Sequence, residues 1–470
     1  MSKREEIEVS KIVFDDHANL LREDYYKYEV QDIPEPNLFS ELFDFEQVPK
    51  VAFNYRTVPM RMPEEIWITD TTFRDGQQSR APFSPAQILR LYDLLHELGG
   101  PRGVIRQSEF FVYGKQDRQA IELCMQRGYR FPEITTWIRA TEKDFDLVKE
   151  IGVEETGILV SCSDYHIFKK MNMTRTEAME QYLKVVKMAL ARGIRPRCHF
   201  EDITRADFYG FVVPFAYALG RLSEESGIPI KIRCCDTMGL GVSYPGASLP
   251  RSVPGIIYGM RHYASIPSAL IEWHGHNDFY KAVSNAASAW LYGASAVNCS
   301  LLGIGERTGN CPLEGMVMEY CSLRGHNDGM RLSVITEIAE YFEKEIGYEI
   351  PPQTPFVGRD FCSTRAGIHA DGLLKSEHIY SIFNTQSILN RPSQVVVDAH
   401  SGLAGIAYWM NANIPSLKAA AEPLPKKHPA VERVKARLDD IYAQNRTTSM
   451  SSAELHRICR ALAPELYDAP

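Results

Sequence analysis

From residue 66 onward, short β-branched or apolar runs alternate with stretches of helical periodicity, the pattern of repeated βα units. Eight runs read as strands: 66–70, 104–110, 133–138, 157–161, 195–200, 230–235, 270–274 and 296–301. The segments between them carry helical stripes. The first is the clearest: Ser84 is placed to cap, Pro85 takes the first helical position and Gln87 the third. Ile88, Leu91, Leu94, Leu95 and Leu98 then recur at helical spacing until Gly99-Gly100 ends the run. Further helices are expected to start near Asp117, Glu142, Thr174, Ala206 and Lys281. Eight parallel strands with crossovers in roughly 250 residues predict an α/β chain built on a (β/α)8 TIM barrel. An open doubly wound sheet is the alternative, but no G-x-G-x-x-G follows the first strand.

The flanks have a different texture. Residues 1–65 are charged and aromatic (Tyr25, Tyr26, Tyr28, Phe39, Phe43, Phe45) with prolines at 34, 36, 49, 59 and 63, as in an extension wrapping a larger body. After about residue 325 the alternation stops. Residues 332–346 read as helix, 350–365 as a Pro-rich irregular stretch, and 415–470 as two or three amphipathic surface helices. The expected division is an N-terminal extension (1–65), the barrel (66–325), a linking subdomain (326–411) and a mostly helical C-terminal tail (412–470).

Composition narrows the class. Hydrophobic residues make up 44 % and aromatics 10 % of the 470, too many for a disordered chain. No apolar run approaches the roughly 20 residues of a membrane span, and no apolar segment follows the charged N-terminus, so a cytoplasmic protein without a membrane partner is expected. The net charge of −8, without clustered Lys and Arg, argues against nucleic acid. The 10 cysteines show no paired metal-binding spacing and read as reduced core thiols.

In such a barrel the working face lies at the carboxyl ends of the strands. There the sequence offers Asp70-Thr-Thr-Phe-Arg74-Asp75-Gly76, Arg106-Gln-Ser-Glu109, Arg139, Ser161-Cys-Ser163-Asp164-Tyr-His166, and His199-Phe-Glu201-Asp202-Ile-Thr204-Arg205. Asp236-Thr237, His274-Gly-His276-Asn277-Asp278 and Gly303-Ile-Gly305-Glu-Arg-Thr-Gly-Asn310 follow. In a strand, residues two apart share a face, so His274 and His276 can reach one metal ion, with Asp75 or Asp70 as third ligand. Arg74, beside Asp75, is suited either to stabilising an oxyanion or to a structural ion pair. Thr204, Arg205 and Thr237 could hold a substrate carboxylate. For Thr237 a helix cap is an equal reading.

These motifs resemble the DRE-TIM metallolyases, in particular their Claisen-condensing branch of 2-isopropylmalate, homocitrate, citramalate and Re-type citrate synthases. The resemblance implies Asp75, His274 and His276 as ligands of a divalent metal (Mn²⁺ or Mg²⁺, with Co²⁺ also suitable), and Asn310 in or next to its coordination sphere. It implies Arg74 at the enolate or alkoxide, and Thr237 and Glu201 around a 2-oxo acid, Glu201 as a catalytic candidate; His166, from the fourth strand end, is a further candidate for binding the substrate. Thr364-Arg-Ala-Gly367-Ile-His369-Ala-Asp371-Gly372 is similar to the branch's element that reaches the partner subunit's site in a homodimer. His369, with Tyr380, would then help deprotonate acetyl-CoA before CoA is released, and His400-Ser401-Gly402 is similar to a later element of that region. Residues 412–470 follow that region, and on their length no leucine-sensing domain is expected.

The second strand departs from the I-E-x-G of relatives. Arg106 beside Arg139 suggests a pocket for a second carboxylate, as in oxaloacetate or 2-oxoglutarate. That departure and the long extension most resemble the oxaloacetate-using citrate synthases of the branch. The alternative from another class is aldol cleavage as in hydroxymethylglutaryl-CoA lyase, for which Cys311 would be the proton shuttle.

Overall fold

All eight expected strands form, and each pairs with two neighbours in a closed parallel barrel. They are β1 (Trp67–Asp70), β2 (Ile105–Phe110), β3 (Glu133–Ile138), β4 (Glu155–Ser161), β5 (Arg195–Glu201), β6 (Lys231–Asp236), β7 (Ile271–Gly275) and β8 (Ala296–Cys299). The computed structural model describes residues 11–15, 20–24, 28–139 and 141–467. Tyr25 and Tyr26 lie outside the described residues. Closure runs through β8 and β1, where Val297 stands opposite Ile68 and Cys299 opposite Asp70.

Strand alternation sorts the side chains. Outward residues such as Ile68, Phe200 and Trp273 are buried under the helices, Phe200 stacking on Phe215 with ring centroids 5.0 Å apart. Inward positions carry Gln107, Glu109, Glu155, Arg197, Arg233 and Glu272, linked by hydrogen bonds across the lumen. Branched apolar residues usually fill such a lumen. Here ionic side chains do. Gly157 belongs to the same layer: a Cβ there would lie 2.7 Å from His199 Nε2, so the strand leaves the space to the imidazole.

The crossover helices are α1 (Pro85–Gly99), α2 (Lys115–Met125), α3 (Glu142–Ile151), α4 (Arg175–Ala191), α5 (Val213–Ser226), α6 (Val253–His262), α7 (Ala282–Tyr292) and α8 (Leu313–Arg324). The α1 start is as expected: Ser84 Oγ accepts from Gln87 N–H, and Gln87 reaches back to Ser84 N–H. Such a cap contributes about 1 kcal/mol. Two helices had no start assigned from sequence. The 237–252 loop delays α6 until Ser252 caps it, and the glycine-rich loop delays α8.

Contacts divide the chain into two compact units, Met1–Arg331 and Leu332–Pro470. In the first, the extension is tied to loops at the carboxyl end of the barrel. Buried Arg175 pairs with Asp164 and Asp207 and donates to Gln31 O, and Asn37 N–H donates to Asp164. Farther along, Arg251 donates to Pro49 O, and Asn54 and Tyr55 N–H both donate to Gly246 O. In the second unit, one apolar core joins Val397, Ile406, Trp409 and Met410 to Val431, Val434, Leu455 and Cys459. It therefore spans both segments expected there, 326–411 and 412–470. All ten cysteines are free, and only Cys321 and Cys362 are more than slightly exposed. Among the described residues no helix is long and apolar enough to cross a membrane.

The loop after β8 has a pH-sensitive support. Glu314, in the first turn of α8, is buried and accepts from Leu302 N–H at 3.1 Å. Burial pushes its pKa up to about 7. The folded protein thus binds this proton more tightly than the unfolded chain, so stability falls as pH rises from the ordinary carboxyl range through 7. Glu314→Gln should exceed the parent in stability by up to about 3 kcal/mol at pH 8 and match it near pH 4, as read from urea melts.

Candidate active site

The loop after β1 and the ends of β7 and β8 meet at the closing seam. Asp75, His274 and His276 are buried there, and each offers a ligand atom within 4.8 Å of the others. His274 Nδ1 lies 2.9 Å from Asn298 Oδ1, while Asn298 Nδ2 donates to Thr69 Oγ1. The amide orientation makes its oxygen the acceptor, so His274 carries its proton on Nδ1 and turns Nε2 toward Asp75 Oδ2, 3.6 Å away. Burial lowers the His274 pKa to about 3, which keeps it a neutral donor. Burial works against ionisation of Asp75, but the neighbouring Arg74 guanidinium leads the groups that oppose it, and the Asp75 pKa lies below the usual carboxyl value.

Asp70, the alternative ligand, is excluded by its surroundings. It points to the helix side of β1, where its carboxylate accepts from Thr72 N–H, Thr72 Oγ1 and Ser108 Oγ. Asn310 is brought up by an antiparallel bridge with His276, and Asn277 N–H donates to Gly309 O. Gly309, at φ +89, is required for this turn: a Cβ would lie 2.0 Å from Gly303 O. Asn310 Nδ2 donates to Ile304 O, while Asn310 Oδ1 and His276 Nδ1 are buried polar atoms without a hydrogen-bond partner among the described residues. Buried polar groups are seldom left unpaired. Two nitrogens, one carboxylate and a free amide oxygen fit a divalent cation with positions open for other ligands.

Arg74 flanks this set. Its Nη1 is 3.3 Å from Asp75 Oδ2, its Nε donates to Glu109 Oε2 at 2.7 Å, and its guanidinium lies 5.9 Å from the Trp137 ring. At the mouth, Ser161 donates to Glu201, and His166 Nδ1 lies 3.2 Å from the same carboxylate. Thr204 donates to buried Asp236, Thr237 Oγ1 accepts from Asp202 N–H, and Arg205 is held by Asp202 at 2.9 Å over the Tyr165 ring. These three are engaged in shaping the loops after β5 and β6.

Two expected substrate contacts are not where the sequence suggested. Arg106 is the second residue of β2, not its end, and points outward. Its guanidinium sits over Trp67 and Phe131 and 3.4 Å from Glu65, at the amino end of the barrel, opposite the metal-type site. Alternation is the reason: Gln107 and Glu109 take the inward positions. Arg139 is at the correct end, but its exposed guanidinium lies over Tyr113 and 3.6 Å from Asp144. Their side chains therefore do not form a joint carboxylate pocket. Cys311, on which the cleavage alternative rested, is 1 % exposed.

His369, Tyr380 and His400 belong to the second unit. His369 and Tyr380 rings lie 4.3 Å apart, and Thr364 Oγ1 is 3.3 Å from His369 Nδ1. Tyr380 is half-exposed, and His400 is exposed with its N–H on Asp398. Sequence reasoning overlooked Glu109 as a partner of Arg74 and Asn298 as the support of His274. Polar or charged residues at alternate positions of β2 (Gln107, Glu109), β5 (Arg195, Arg197, His199) and β6 (Lys231, Arg233) were the available signal for the first.

The HMGL-like family model matches residues 65–341, the barrel and its closing loops. The chain belongs to the HMGL-like family. Citrate (Re)-synthase of Clostridium kluyveri is 55 % identical over 443 residues, covering 94 % of this chain and 97 % of the relative. Citrate (Re)-synthase of Syntrophus aciditrophicus is 53 % identical, covering 94 % and 70 %. More distant is 2-phosphinomethylmalate synthase of Streptomyces hygroscopicus, 38 % identical over 93 % of this chain and 99 % of its own. The resemblance to the Claisen-condensing DRE-TIM enzymes, first drawn from motifs, is thereby established over nearly the whole chain.

Removing a ligand should separate binding from folding. His276→Ala is expected to abolish high-affinity Mn²⁺ binding in calorimetry while the far-UV circular dichroism stays unchanged. Asn298→Ala, which frees His274 Nδ1, should weaken Mn²⁺ about 10- to 100-fold.

Proposed function

We propose that this chain is a citrate (Re)-synthase, an acyltransferase that condenses acetyl-CoA with oxaloacetate and water to give citrate and CoA. The observation that carries this reading is kinship of 55 % and 53 % with two enzymes of that name across 94 % of the chain. The buried Asp75, His274 and His276 set beside Arg74 supplies the matching chemistry.

In this proposal Asp75, His274 and His276, with Asn310 alongside, hold a divalent cation, Mn²⁺ or Mg²⁺. When bound, the cation supplies Lewis-acid polarisation of the oxo acid's ketone. Arg74 presents a fixed guanidinium to the ketone oxygen as negative charge develops on it. His369, with Tyr380 against its ring, accepts the proton leaving the acetyl methyl group, reaching the site from a second copy of the chain in a homodimer. The carbanion carbon joins the ketone carbon, and water then cleaves the thioester. Glu201 and His166, at the barrel mouth, are the proposed acceptor of that water's proton.

The acid specificity is measurable. With Mn²⁺ and acetyl-CoA, CoA release should be fastest with oxaloacetate in a panel that includes 2-oxoglutarate, 2-oxoisovalerate, pyruvate and glyoxylate. Release with 2-oxoisovalerate but none with oxaloacetate would sink the citrate reading. Because Arg106 lies at the far end of the barrel, Arg106→Ala should leave the order of preference unchanged.

A further inference from the structure

We propose that Glu109 is a positioning residue, held between three arginines inside the barrel so that it fixes the guanidinium of Arg74 against Asp75. This inference rests on the reading that Arg74 faces the reacting ketone oxygen. The geometry is specific. Glu109 Oε2 accepts from Arg74 Nε at 2.7 Å, Thr71 Oγ1 at 3.0 Å and Arg233 Nη1 at 3.1 Å. Glu109 Oε1 accepts from Arg197 Nη2 at 2.6 Å. The carboxylate, 1 % exposed, is saturated by donors that are themselves tied down. Arg233 Nε donates to Glu272 at 2.6 Å, and Arg197 Nη1 donates to Glu155 at 3.0 Å.

A long arginine side chain has several freely rotating bonds, and a charge aimed at a developing oxyanion is effective only if it does not reorient during the reaction. Nε on Glu109 and Nη1 on Asp75 leave the Arg74 guanidinium one orientation. The hub is also an expensive way to fill a barrel. Buried ion pairs seldom stabilise more than well-packed apolar side chains of similar volume, so stability alone does not account for it. Burial opposes the charge on Glu109, but Arg233, Arg74 and Arg197 outweigh it and keep it ionised. The carboxylate that orients Arg74 is therefore held in its anionic form by the same guanidinium groups it binds.

A double-mutant cycle on the full-length, Mn²⁺-loaded protein tests this, with CoA release from acetyl-CoA and oxaloacetate as the rate. Glu109→Gln should lower kcat about 100-fold, change the oxaloacetate KM less than about 3-fold and leave Mn²⁺ affinity unchanged. Arg74→Ala should lower kcat by at least as much, and the double variant should be no more than about 3-fold slower than Arg74→Ala alone. Losses that multiply in the double variant overturn the positioning role. Arg74→Ala at the parental rate overturns the Arg74 reading itself. Should Glu109→Gln not accumulate as folded protein, Thr71→Val removes one donor from the same oxygen at nearly constant shape. It should lower kcat several-fold in the parent and not at all beside Arg74→Ala; an equal loss in both backgrounds overturns the proposal.

Discussion

The seam between β8 and β1 is the pairing on which the site depends. Trp67–Asp70 and Ala296–Cys299 are more than 200 residues apart in sequence, yet their ladder places the loop after β1 beside the ends of β7 and β8. The ladder continues past the strands, with Thr71 N–H donating to Cys299 O. Asn298 stitches the seam from inside, accepting from His274 and donating to Thr69. The same amide that helps close the barrel thus selects the tautomer of a proposed ligand. An open sheet of the same strands, broken at this seam, would leave Asp75 at one edge and His274 one strand in from the other.

The lumen of the barrel is organised by charge. Guanidinium groups of Arg197 and Arg233 and carboxylates of Glu109 and Glu272 are almost wholly buried, which is tolerable only because each finds more than one partner. The layer is directional. Its lower members, Glu155 and Lys231, pair with each other, whereas the upper edge ends in Arg74 and Asp75. A rigid floor beneath a polar site suits a reaction in which charge moves from a carbon to an oxygen within a few ångströms.

The N-terminal extension joins this machinery at its edges. It is pinned to the loop after β4 through Asp164 and Arg175, and to the loop after β6 through Gly246 and Arg251. The first of these loops carries His166. Segments that bear site residues are thereby buttressed by chain from outside the barrel, which limits the mobility usual in βα loops.

The sequence by itself determined the local grammar. The alternation of apolar runs with helical stripes located all eight strands, the Ser84-Pro85-Gln87 start located α1, and the spacing of His274 and His276 placed them on one face. These signals are local because they depend on backbone periodicity and on hydrogen bonds within a turn or two. Several choices were beyond it. Nothing near Asp70 and Asp75 says which one faces the histidines, since the answer is Ser108 on β2, which engages Asp70. Arg106 looked like a strand end because the sequence does not mark where β2 starts relative to the barrel's two rims. One step of alternation then turned it outward and turned Glu109 in. The phase and height of each strand are set by its neighbours' register around a closed ring, a constraint that exists only once the first strand meets the last.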